Sequence, residues 1–374
     1  MRAIQRPLFI IAILILMISG IARARGPSRQ SKEASMLRLT KKLIYENQDL
    51  NLIWEMKLGK FGTDKTSLMV VGSKGACLLT LVGQPVRCIS YASLNLHSVQ
   101  VVELPKQNTY AFVAGGIWGE PAAVLMDSEG KVKWRYDAEF KAMGAPALID
   151  LGSSGERVVA MFEKDRGLLF FDLDSGKLLN VSQPSAKLRS LRAIDLDGDG
   201  HKELLANDTA DRLITINSSA EVVMPTESQV FSFAVTQANP PNIVAAPDIA
   251  RVADDDNKVV TKSGKIFLYD RKLQRVASWD APHPYPGTSY LSLVAAEPLG
   301  PPNRRRGLVS LFSGTGRWRK TPLFVHSWEG KLIYEELLED NYFSVLPLLD
   351  AEQGAVSFLV GGRGQVWRYS SAAR

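Results

Sequence analysis

The sequence predicts an all-β fold: a seven-bladed β-propeller of four-stranded antiparallel blades, its ring closed by an N-terminal strand. Three observations lead there. Strand pairs joined by polar turns recur, as in AAVLMDSEGKVKWRYD, LLFFDLDSGKLLNVS, RLITINSSAEVVMPT, KIFLYDRKLQRVASWD and PLFVHSWEGKLIYEEL. Their turns fall roughly 44 to 57 residues apart, a period of propellers or solenoids. The pentapeptide KLIYE occurs twice, at Lys42–Glu46 and Lys331–Glu335, and no sustained helical heptad runs through the chain.

Each repeated hairpin follows two further apolar strands, for example SLRAIDL and KELLAND before RLITINS. Four strands per repeat, lettered A to D from the centre outward, make one blade. The count gives blades at 52–91, 98–138, 145–182, 189–225, 230–280, 289–338 and 343–370. The last set supplies only FSVLPLLD, AVSFLVGG and QVWRYSS, while LTKKLIYE at residues 39–46 copies the outer strand of the preceding blade. The first KLIYE is therefore read as strand D of blade seven, which leaves neither terminal sheet incomplete. The alternative is a coincidence of five residues.

Residues 1–24 read as a secretory signal peptide: Arg2 and Arg6, then the apolar PLFIIAILILMISGI, then Ala22-Arg23-Ala24. The run is shorter than the ~20 residues that span a bilayer, so an anchor through residues 7–22 is the alternative to a secreted or periplasmic chain. Residues 25–38 form a polar tether and 39–374 the propeller. Cleavage would remove Arg2, Arg6 and Arg23 and no acid, lowering the formal charge from +6 to +3, too mild to point to nucleic acid. Export makes a disulfide the expected state of Cys77 and Cys88, which flank LLTLVGQPVR, a hairpin about its Gly-Gln-Pro turn. Sequons at Asn180, Asn207 and Asn217 matter only in a eukaryotic secretory route.

One stretch carries a sharp chemical signature, DLDGDGHKE at residues 195–203. Asp195, Asp197 and Asp199 alternate, Gly198 and Gly200 permit a tight path, the His201 carbonyl is the expected main-chain ligand, and Glu203 completes a cage of hard oxygens suited to Ca²⁺. An EF-hand would need Glu at the twelfth position, where Ala206 stands, and flanking helices. An empty surface turn is the alternative. The block SLRAIDLDGDGHKELLANDTADRLITINSSAEVV resembles one repeat of the FG-GAP/VCBS (integrin-alpha-like) propellers, and the resemblance implies a single structural Ca²⁺ on the face of the A–B loops. Other blades keep remnants, Asp150 with Glu156 and Asp350. Trp134, Tyr136, Trp279 and Tyr334, after their turns, resemble the packing residues of PQQ-like blades; inter-blade packing is their plain reading.

In such blades the A–B and C–D loops share one face, the B–C and D–A loops the other. Asn303–Arg306 falls on the first and Gly316–Lys320 on the second, so the two basic clusters form no common patch for nucleic acid. The B–C face collects Trp118 and Glu120, residues 164–166 with Arg166, residues 208–212 and 254–256, Arg317, Trp318 and Arg363. Aromatic and Arg side chains are the usual anchors of recognition, so a protein or glycan at this face is the expected partner. The four histidines (His97, His201, His283, His326) lie in different blades, and no nucleophile or P-loop motif accompanies them. The expected role is an exported, non-enzymatic binding propeller. The alternative is an exported lyase or hydrolase working at the mouth of the channel.

Overall fold

The structure, a computed structural model, describes residues 37–371 apart from 63, 95, 97, 105–108, 116–121, 139–141, 152–155, 165, 185–186, 197, 218–220, 231, 238–242, 247–248, 254–258, 262–264, 281–289, 301–303, 315–319 and 349–355. The residues expected to form a signal peptide and most of the expected tether lie outside the described residues.

Seven antiparallel sheets follow one another along the chain. Six run in sequence order, from Ile53–Gly59 as strand A of blade one to Leu332–Leu338 as strand D of blade six. The seventh joins Ser344–Pro347, Ser357–Gly361 and Gln365–Ser371 to Leu39–Glu46. The closing register is as the duplicated pentapeptide requires: Lys42 faces Arg368, Leu43 faces Trp367 and Tyr45 faces Val366. Both copies of KLIYE thus run in outer strands of neighbouring blades, bridged by Lys41 Nζ at 2.7 Å from Glu336 Oε1.

The hydrophobic core is divided into seven wedges, one at each blade boundary. Blades four and five, for instance, share Ile194, Leu205, Leu213, Phe233, Ile243 and Tyr269, and blades seven and one share Leu346, Leu359, Ile53, Met56 and Leu68, with Ile44 and Tyr45 of the closing strand against them. Sandwiching between neighbours explains the burial pattern. Gly75–Leu79, a third strand, is buried at every residue, whereas the outer strand Pro85–Ser90 is exposed at all but one. Inner strands of successive blades pack beside one another around the central channel.

The aromatic residues after the turns pack between blades. Trp134 Nε1 donates to the Leu173 carbonyl of the next blade at 2.7 Å, and Trp279 Nε1 donates to Ser327 in the same manner at 2.8 Å. Cys77 and Cys88 stand directly opposite and are joined. Their hairpin turns slightly earlier than the Gly-Gln-Pro reading, over Thr80–Gln84, with Gly83 N–H donating to Thr80 O. Gly83 has φ +90°, and a Cβ there would lie 2.1 Å from the Ile44 carbonyl of the closing strand. Pro85, which has no N–H to give, opens the edge strand instead.

Blade five keeps its four strands, but the chain between them adds two more to the sheet of blade six. Between its second and third strands the chain inserts Ile249–Ala253 and Val259–Thr261, which pair with each other. The first of them also pairs with the inner strand of blade six, Ile249 facing Leu291. Read from sequence, this stretch is a B–C loop around 254–256. Its β-branched flanks instead form a hairpin of their own and extend the edge of the ten-residue strand Tyr290–Leu299. Asn207 is fully buried, so that sequon is closed to modification in the folded chain.

Candidate functional site

The eight-residue loop of blade four leaves strand Leu188–Ile194 and re-enters at Glu203–Asp208, the A–B position expected. Asp195 Oδ1 accepts the Gly198 N–H at 2.6 Å and its Oδ2 the Gly200 N–H at 3.2 Å. Asp199 Oδ1 accepts the His201 N–H at 2.7 Å. Glu203 Oε2 accepts the Leu196 N–H at 2.7 Å, tying the two ends together. Gly198 and Gly200 take φ +86° and +92°, values that L side chains resist. Among the described residues no three His, Cys, Asp or Glu side chains converge on one point; Asp197 lies outside them. The donor set, hard carboxylates within one short turn, suits a hard divalent cation. Lys202 N–H donates to Asp150 Oδ2 at 3.2 Å, fastening the loop to blade three.

Sequence reasoning missed a second feature, a cluster of ionisable residues lining the channel. Glu55 on the inner strand of blade one accepts the Val101 N–H at 2.6 Å. Burial raises its pKa against the opposing pull of Lys57, that N–H, Lys202 and Arg192. Arg192, from the far side of the ring, is lowered by burial and supported by Glu55. Burial also lowers Lys202, with Lys57 and Arg157 adding repulsion. By surface area Glu55 and Arg192 are half-buried and Lys202 is exposed. Lys57 lies 3.6 Å from Glu103 and Arg157 lies 3.7 Å from Asp150. Gln237 of blade five reaches across the channel to the Met56 carbonyl of blade one at 2.8 Å. These residues come from inner strands, a second strand and loops of different blades, and only the ring brings them together.

Glu297, on the inner strand of blade six, is 3% exposed. Its Oε1 accepts the Gln237 N–H at 2.8 Å, and its Oε2 has no hydrogen-bond partner among the described residues. Burial holds its pKa well above the ordinary carboxyl value. The unfolded chain ionises first as pH rises, so this residue's favourable contribution is complete below the ordinary value and is lost as pH climbs toward the folded one. Glu297→Gln is therefore expected to stabilise the fold by about 1–3 kcal/mol at pH 8, where a buried charge or unpaired oxygen is costly, and by nothing at pH 4. Urea denaturation across that range checks it, and equal midpoints at pH 8 would refute it.

On the B–C face, Arg166 is engaged within the protein: it donates to the Tyr136 hydroxyl, which donates to the buried Glu163 Oε2 at 2.7 Å. Asp208 is buried, which would raise its pKa, but the N–H and guanidinium of Arg212 and the Ala210 N–H outweigh that and hold it low. Arg363 is half exposed, 3.9 Å from Asp340. Trp118, Arg317 and Trp318 lie outside the described residues. His326 is buried in blade six and pushed down to about 4 by burial, so its imidazole is neutral at physiological pH. On the opposite face the Arg305 guanidinium lies 5.2 Å over the Trp328 ring, and Trp328 packs edge-on against Trp279 at 5.5 Å. The Arg306 N–H bonds to Leu299 O and the Trp328 N–H to Arg306 O, so both loops are fixed.

Comparison with solved structures agrees with the propeller fold. A crystal structure of BBS1N in complex with ARL6DN, soaked with lead, matches with a TM-score of 0.53 at 8% identity, covering 90% of this chain and 98% of that one. Its mercury-soaked counterpart matches equally, covering 97% of that chain. The fold is a seven-bladed β-propeller. The WD40 domain of Neurospora crassa Pan2 aligns with a TM-score of 0.48 at 8% identity over 93% of each chain. No protein-family model matches the sequence, and no curated protein matches it either.

Proposed function

We propose that this chain is an exported, non-enzymatic binding propeller that recognises a protein and carries one structural Ca²⁺ in the blade four loop. The observation that carries the binding reading is the Arg305–Trp328 stack. It presents a planar donor fork and an indole from two fixed loops, the side-chain pair on which recognition surfaces most often depend. BBS1N, solved in complex with ARL6DN, is a precedent for such use of the fold. The B–C loops with Trp118, Arg166, Arg317, Trp318 and Arg363 are the second face proposed, for a protein or a glycan. Photo-crosslinkers at positions 304 and 340, the latter beside Arg363, in the full chain in its native compartment separate the faces. Adducts with one recurrent protein, lost in Arg305→Glu or Arg363→Glu respectively, are expected; the absence of any recurrent adduct from either position would overturn the reading.

The calcium proposal rests on Asp195, Asp197, Asp199 and Glu203 with the His201 carbonyl. An ion that binds the folded loop stabilises it by linkage, by ~2.7 kcal/mol at a hundredfold excess over Kd. Calcium is expected to raise the melting temperature of the parent and not of Asp197→Ala or Asp199→Ala. A melting curve indifferent to chelator, with no heat of binding at millimolar calcium, would remove the metal. The channel cluster around Glu55 and Arg192 favours the second reading, an enzyme at the channel mouth. A small ligand retained by the parent in native mass spectrometry and lost in Glu55→Gln would move the assignment there.

A further inference from the structure

We propose that the rim of the channel, on the face of the A–B loops, binds a small anion carrying phosphate or carboxylate groups, held by Lys57, Arg157 and Lys202. The inference goes beyond the protein-binding and calcium readings and needs neither. The three cations are joined by a continuous line of contacts through four successive blades. Lys57, on the inner strand of blade one, lies 3.6 Å from Glu103 Oε1, near the end of the inner strand of blade two. The Glu103 carbonyl accepts Arg157 Nη1 of blade three at 2.9 Å. Arg157 Nε lies 3.7 Å from Asp150 Oδ1, and the other oxygen of that carboxylate accepts the Lys202 N–H of blade four at 3.2 Å. All five residues stand near strand ends that flank A–B loops, so the line curves along one mouth of the channel. The Gln237 side chain crosses to the Met56 carbonyl at 2.8 Å, one residue further into the channel than Lys57. A ligand entering from this face meets that bridge, which suits a small occupant.

Positive charge is left over along this arc. Both Asp150 oxygens are engaged, and Glu55, deeper in the channel, accepts the Val101 N–H at 2.6 Å. Among the described residues no carboxylate lies within 4.0 Å of the Lys202 ammonium or the Arg192 guanidinium; Arg192 Nη1 donates to the Leu191 carbonyl at 2.9 Å. The acids Asp195, Asp199 and Glu203 accept N–H groups of their own loop. Lys202 instead feels the charges of Lys57, Arg157, Asp150 and Glu55, and the two cations outrank the two acids in lowering its pKa. Cations held within reach of one another repel, and an anion seated among them turns that repulsion into attraction. The concave mouth strengthens the effect, because its low-dielectric walls focus the field.

Calorimetric titration of the full chain with inorganic pyrophosphate and with citrate, in calcium-free buffer at low and high ionic strength, tests this. At least one of the two is expected to bind saturably at a single site, more weakly as salt rises. Lys202→Gln and Arg157→Gln are each expected to weaken it roughly tenfold or more, the loss of one charge-assisted hydrogen bond. Glu103→Gln, which removes a competing carboxylate, is expected to bind severalfold tighter; opposite effects of Lys202→Gln and Glu103→Gln cannot come from unfolding. Lys265→Gln, at an exposed cation of blade five paired with Asp280, is expected to bind as the parent does. This pattern with pyrophosphate alone, or with citrate alone, would support the site and fix which acid group it takes. No saturable binding of either probe would overturn it. So would a loss in Lys265→Gln equal to that in Lys202→Gln, which would show attraction to net charge rather than a site. The protein and calcium readings would stand in either case.

Discussion

A chain lacking residues 36–47 is expected to lose most of its stability rather than a tail. The strand Leu39–Glu46 supplies the outer edge of blade seven along its full length. Leu39 packs in one inter-blade wedge and Ile44 with Tyr45 in the next. At about 1.5–3 kcal/mol for each apolar side chain returned to water, the loss is on the order of 5 kcal/mol, comparable with the whole stability of an ordinary domain. Lys41 adds its ion pair with Glu336 and a position 4.6 Å over the Trp367 ring. Tyr45 adds a hydroxyl donated to Cys77 Sγ at 3.0 Å. Circular dichroism of the truncated chain should show an early or absent melting transition, and a curve superimposable on the parent's would show that the ring does not depend on this strand.

The second large effect is expected from Trp279→Ala. Its indole is 1% exposed and sits in the wedge between blades five and six with Leu268, Leu308 and Phe324. Removing a buried aromatic of this size costs about 3–5 kcal/mol, because the wedge cannot collapse around the void. Trp279→Phe fills much of the volume but leaves the Ser327 carbonyl without its N–H, a loss of about 1 kcal/mol. Chemical denaturation of the two variants should give that order. If Ala and Phe were equally harmful, the hydrogen bond rather than the packing would be the dominant contribution.

The ring was legible in the sequence because its information is local and repeated. Strand patterns, polar turns and the copied KLIYE each mark position without reference to the third dimension, and the D-x-D-x-D spacing marks its own loop. The inserted hairpin at Ile249–Thr261 was not legible: ADDDN between short β-branched runs reads as an acidic loop until the free edge of Tyr290–Leu299 is beside it. The channel cluster was hidden for a related reason. Glu55 and Arg192 are far apart in sequence and come together only through the ring.

The closing strand also sets the order in which the molecule can be built. Thr40 and Ser370, bonded to each other, are 330 residues apart in sequence. Contacts of such separation are the slowest to form, because the intervening chain must be organised before they can be rewarded. Blades one to six need only sequence neighbours and can form as the polypeptide is made. The strand synthesised first must wait for the blade synthesised last, and ring closure becomes the final kinetic step of folding, taken after every other sheet is in place.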